Sequence, residues 1–131
     1  STLEHVGFDN EIYKTLQINK KTRKNNQVYL NVIKNFKYYL KKNGILLITL
    51  PFGKYQKFND LQQFDKKMIN NIIKVFRPSK VEKKFAIYKN LQWQFCEEKD
   101  CLNIKFRNKK QKIANDEAAS ARSLILLKMR K

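Results

Sequence analysis

The chain is short of the residues that build the most recognisable catalytic and metal-binding devices. Its 131 residues include three glycines, two prolines, two cysteines, one histidine and one tryptophan. Three scattered glycines exclude a Gly-rich phosphate-cradling loop, which needs several of them within a few positions. Cys96 and Cys101, with the single imidazole at His5 far away in sequence, fall short of the four soft ligands of a structural zinc site, so no metal is expected. They are expected to be free thiols near a turn, with a cross-turn disulfide as the lesser alternative. No apolar run approaches the roughly eighteen residues of a membrane-spanning helix, and the amino terminus lacks the basic start and apolar core of a signal peptide. No membrane span and a cytoplasmic location are therefore expected.

Acidic residues are scarce too: 11 Asp and Glu face 29 Lys and Arg, a formal charge of +18. Clustered basic side chains release counterions from a phosphate backbone, so this balance invites a nucleic-acid partner. Two clusters would carry it: Lys20, Lys21, Arg23 and Lys24, then Lys105, Arg107, Lys109, Lys110 and Lys112. The plainer reading is compositional, since Lys, Asn and Ile are abundant together and the lysines are spread through nearly every segment, as AT-rich coding produces.

What is plentiful is apolar surface, with 42% hydrophobic and 12% aromatic residues, enough for the core of one domain. The chain is organised around Leu40 to Lys54. Lys41 and Lys42 end an amphipathic run, Asn43 and Gly44 supply a left-handed stop, and Ile45 to Leu50 is a continuous apolar run closed by Pro51. Apolar on both faces, such a run is expected in the middle of a parallel sheet covered by helices, with the following loop, Phe52 to Tyr55, facing a ligand.

Upstream, residues 11 to 26 are polar and basic without a clear period and read as an irregular excursion. From Gln27 to about Lys42 the period changes. Val28, Val32, Phe36 and Leu40 recur every four residues, widened by Tyr29 and Ile33, and predict a helix. Downstream, 56 to 64 reads as a loop carrying Asn59 and Asp60. Asp65 caps a second helix with Met68, Ile69, Ile72, Ile73 and Phe76 on one face, ended by Arg77-Pro78. Val81 to Tyr88 reads as a strand near a sheet edge. Two half-buried strands, with Leu91, Trp93 and Phe95 on one and Leu102, Ile104 and Phe106 on the other, make a hairpin about Glu97 to Asp100. Trp93 is expected in the core or a lid. Asn115 or Asp116 caps a short helix to about Ala121, and Ser123 to Met129 is a last apolar strand.

Glu4 and His5 place a carboxylate beside an imidazole, a pair suited to acid/base work because imidazole titrates near neutrality. Ser-Thr-Leu-Glu-His-Val-Gly at 1 to 7, Leu-Lys-Lys-Asn-Gly-Ile-Leu-Leu-Ile-Thr-Leu-Pro at 40 to 51, Pro-Phe-Gly-Lys at 51 to 54 and Gln-Phe-Asp at 63 to 65 resemble the carboxyl half of class I S-adenosylmethionine-dependent methyltransferases. Within that family they look most like an uncharacterised group found near glycan-assembly genes. Lys42 and Asn43 stand where the family's turn carries Pro-Gly, and Gln63 stands where it carries arginine.

The resemblance implies an α/β fold, the carboxyl half of a Rossmann-like, mostly parallel sheet with an antiparallel final strand. Residues 1 to 131 are then a single partial domain, its partner the amino-terminal half of the same fold with most of the cofactor site. The resemblance implies Ser1 and Thr2 beside the cofactor S-adenosylmethionine, His5 as base with Glu4 orienting it, and Phe52, Lys54 and Tyr55 around the acceptor. Ser1 stands where metal-using relatives carry glutamate, so no metal is implied. The implied activity is methyl transfer to an oxygen or nitrogen of a small or glycan-like acceptor. The alternative from the residues alone is a non-catalytic basic module that binds RNA or an acidic partner.

Overall fold

The computed structural model describes residues 3–8, 27–58, 60–106 and 120–131. The excursion over 11 to 26, Ser1, Thr2, Asn59, the proposed cap at Asn115 or Asp116 and most of both basic clusters lie outside the described residues.

A single 3-10 turn, Leu3–His5, precedes helix α1, Tyr29–Tyr39. The buried line of α1 is Tyr29 and Ile33, the pair that widens the expected stripe rather than its centre, while Phe36 remains 41% exposed. The difference follows from what α1 packs against: Tyr29 meets Phe64 edge-on at 5.0 Å between ring centroids, and Val32 and Phe36 turn toward a cleft. Lys41 to Gly44 makes a tight turn with the Gly44 amide on the Lys41 carbonyl at 2.9 Å. Asn43 takes the left-handed backbone (φ 63°), a conformation asparagine tolerates better than most residues.

Strand β1, Ile45–Pro51, follows, then the short pair β2 (Gln56–Lys57) and β3 (Gln62–Gln63). Helix α2 spans Lys66–Phe76, and its start is set by Asp65, whose Oδ1 accepts the Met68 amide at 2.8 Å. Arg77 stops it in the left-handed conformation, and Pro78 has no amide with which to continue. Asp65→Ala is expected to cost about 1 kcal/mol of stability, read as a lower urea midpoint with an unchanged slope. An unchanged midpoint would show that the cap is idle.

Strands β4 (Lys80–Lys89) and β5 (Gln92–Cys96) form a hairpin, helix α3 covers Glu98–Cys101, and β6 is Ser123–Arg130. The four-stranded sheet has the order β1-β6-β4-β5, and every pairing in it is antiparallel. This corrects the expected α/β architecture: the sheet is antiparallel, not a mostly parallel Rossmann-like one. The physical reason is the place of β6. It inserts between β1 and β4, so those two strands never pair with each other. Strand β1 is accordingly at the edge of the described sheet rather than in its middle, and Leu47 is 71% exposed. Strand β4, expected near an edge, is interior.

The hairpin also differs from expectation. Asn90 and Leu91 both take positive φ (51° and 62°), the conformation of a two-residue primed turn, so β5 folds back on β4. Residues 97 to 101 are helical because Glu97 and Asp100 form a reciprocal capping box. Side chains on one sheet face, Leu50, Phe85, Ile125, Leu127 and Met129, join Tyr29, Ile33, Ile69, Ile72 and Phe76 from the helices in a single core. Burying each large apolar side chain there contributes about 1.5–3 kcal/mol. Among the described residues no helix is long and apolar enough to cross a membrane.

Candidate active-site cleft

A cleft of about 810 Å³ wraps around the edge of β1. One wall is Leu3, Glu4, His5 and Val6 with Val32 and Phe36 of α1; the other is Leu47, Thr49, Leu124 and Trp93 with Phe106 and Ala121. Asp60, Leu61 and Pro51 lie at the end of β1. Its volume is in the range of small-molecule sites, and its walls are mostly apolar with few polar groups, as such sites usually are.

The 3-10 turn puts Glu4 and His5 side by side in this cleft. His5 Nδ1 is 2.6 Å from the carbonyl oxygen of Asp60. A carbonyl only accepts, so Nδ1 carries a proton and donates it, which leaves Nε2 as the ring nitrogen that can accept one. Nε2 lies 3.9 Å from Glu4 Oε1, too long for a hydrogen bond. Glu4 is buried while His5 is half-buried, so the imidazole is the more accessible of the two.

The other expected residues separate. Phe52 is fully buried, tilted against Phe85 at 5.2 Å, and its carbonyl accepts from Ser123 Oγ. Its place is the core, and it does not line the cleft. Lys54 and Tyr55 are exposed on the next turn and also lie outside the cleft lining. The loop is closed from behind by the chain after α3: the Lys54 amide donates to Ile104 O at 2.9 Å, and Gln63 Nε2 donates to Lys54 O and Ile104 O, both at 2.8 Å. Ser1 and Thr2 fall outside the described residues. Asp60 was visible in sequence only as a polar loop residue; its role, a backbone carbonyl that sets the His5 tautomer, has no side-chain signature to find. Trp93, expected in the core or a lid, is a cleft wall.

The two cysteines meet behind the sheet. Their sulfurs are 3.4 Å apart, with Cys101 buried and Cys96 partly so. Burial, and then the neighbouring Cys96, push the Cys101 thiol up to about 12 from its ordinary value of 9.0. The folded state therefore holds this proton through a range in which the unfolded chain has released it, so this thiol's contribution to folding stability is flat below pH about 9 and falls as pH climbs toward 12. Cys101→Ala is expected to flatten part of that alkaline decline, compared by urea titration at pH 8 and 10. An identical decline in the variant would exclude this thiol as a cause. Among the described residues no group of three or more His, Cys, Asp or Glu stands close enough to hold a metal ion.

No family model matches the chain, and no curated protein or solved structure matches it either.

Proposed function

We propose that the protein takes part in S-adenosylmethionine-dependent methyl transfer to a hydroxyl of a small or glycan-like acceptor, in a cytoplasmic setting. The observation that carries this reading is the His5 ring, held by Asp60 in the tautomer that leaves Nε2 basic at the wall of the cleft. It needs no parallel sheet, and the resemblance of residues 1 to 7 and 40 to 54 to methyltransferase segments supports it.

The residues present suit the implied cofactor at one end. When bound, S-adenosylmethionine supplies an electrophilic methyl group on a positively charged sulfonium. Glu4, a buried carboxylate in an apolar wall, offers the compensating negative charge that such a cation favours. His5 Nε2 accepts the proton of the acceptor hydroxyl as its oxygen becomes nucleophilic, and Glu4 then stabilises the imidazolium across 3.9 Å. The apolar walls, Leu3, Val32 and Leu124, limit the water that would compete as acceptor.

Calorimetry with S-adenosylmethionine on this chain and on the longest open reading frame that contains it tests the proposal. Binding by either is expected. Absence of binding by both would overturn it.

A further inference from the structure

Strand alternation divides the sheet into two unlike faces. One is buried under α1, α2 and α3; no described helix packs on the other. On that open face the β4–β5 register sets Tyr88 opposite Trp93 and Ala86 opposite Phe95. The β4–β6 register sets Lys80 opposite Arg130, Glu82 opposite Lys128 and Lys84 opposite Leu126. Phe95 is 74% and Trp93 42% exposed, a costly display of aromatic surface for a packing role.

Basic groups and rings interleave there. The Lys84 ammonium lies 5.6 Å from the Phe95 ring centre, the Arg122 guanidinium 5.5 Å from that of Tyr88, and Tyr88 meets Trp93 edge-on at 5.3 Å. Glu82 is the single acidic residue in the four strands, and Lys80 and Lys128 each approach it at 3.4 Å. Two cations on one anion, with Lys84 and Arg130 besides, leave the face positive.

We propose that this face binds a single-stranded polynucleotide, with bases stacked on Trp93 and Phe95 and phosphates along Lys84, Lys128 and Arg130. Charge selects a polyanion, and the rings select among polyanions. A duplex hides its base faces and offers phosphates alone, whereas a single strand offers both partners at once. The sheet surface is also where successive rings stand at strand spacing, exposed and held by the backbone rather than by a loop. This inference does not rest on methyl transfer: the face borders the cleft, sharing Trp93 and Leu124 with its wall, but a failure to bind S-adenosylmethionine leaves it untouched.

Trp93 is the only tryptophan, so its emission reports the platform directly. The chain is titrated with a 12-nucleotide oligouridylate, the equivalent duplex, inorganic polyphosphate and phosphatidylglycerol vesicles. Quenching by the single strand, with affinity about tenfold or more above the duplex, is expected. Phe95→Ala, an exposed position that leaves the core intact, is expected to weaken binding about tenfold, and Lys84→Gln to lower the log–log salt slope by about 0.7. Trp93→Ala, followed by anisotropy of a labelled strand, is expected to weaken it similarly. Equal affinity for strand and duplex, polyphosphate binding as tight as the oligonucleotide's, an emission shift with vesicles alone, or Phe95→Ala binding like the native chain would each overturn the proposal.

Discussion

His5→Ala in the longest reading frame is expected to slow methyl transfer about 10²–10⁴-fold, the usual contribution of a positioned general base, while S-adenosylmethionine affinity changes little. The expectation follows from which nitrogen is committed. Nδ1 is engaged with Asp60 O at 2.6 Å, so Nε2 is the nitrogen left to accept a proton. The same substitution also removes that hydrogen bond, worth about 1 kcal/mol, and a few degrees of thermal midpoint go with it. The two roles separate in the kinetics. A catalytic base appears as a fall in kcat with KM preserved, whereas a ring that merely pins the Asp60 loop appears as lost stability and a raised KM. Glu4→Gln, which keeps shape and removes charge, is expected to lower kcat less than His5→Ala does. Unchanged turnover in the alanine variant would remove His5 from the reaction.

Gly53→Ala is expected to be strongly damaging, costing about 3 kcal/mol, at the upper end of overpacking effects. A methyl group at Gly53 would sit inside the contact distance of the Ile104 carbonyl oxygen, 2.9 Å from Gln63 Nε2 and 3.2 Å from the Cys101 carbonyl. None of these can withdraw cheaply. The two carbonyls are backbone, and the Gln63 amide is committed to Lys54 O and Ile104 O from a fully buried position. The Gly53 amide meanwhile donates to Phe64 O at 2.9 Å, so the loop cannot swing outward without breaking its link to the chain before α2. A fall in the urea midpoint checks this, and Gln63→Leu supplies the companion test. It takes the side-chain donor from Lys54 O and leaves Ile104 O with the Lys54 amide alone, and is expected to cost about 1–3 kcal/mol. If Gly53→Ala were as stable as the native chain, the strap formed by residues 101 to 104 would not be packed as described.

The strap also decides what the loop after β1 presents: Phe52 is turned into the core, while Lys54 and Tyr55 are exposed. A Pro-Phe-Gly-Lys turn after an apolar strand has the composition of an open binding loop, yet Phe52 is core and Gly53 is needed for a close backbone approach. Both patterns call for the same residues, and only the residues arriving from 101 to 104 distinguish them. His5 was legible as a candidate because imidazole beside carboxylate is an uncommon pair in a chain with one histidine. Its tautomer was not, since that depends on a carbonyl 55 residues away.

Local physics was enough for α1, α2, β1 and β6, though not for α3 or the short pair β2 and β3. The four-residue apolar spacing from Val28 predicted α1, the Asp65 cap and Arg77-Pro78 bounded α2, and the unbroken apolar runs at Ile45 and Ser123 marked β1 and β6, each because the deciding interactions lie within a few residues along the chain. Sheet sense, strand order and the identity of the edge were decided only in three dimensions. An apolar strand satisfies its side chains in a parallel or an antiparallel neighbour alike, and nothing in Ile45 to Leu50 records that β6 will arrive beside it and exclude β4. The open face has the same origin. Lys84, Tyr88, Trp93 and Phe95 carry no joint signal along the chain, and they become one surface because the Asn90-Leu91 turn and the place of β6 set the register.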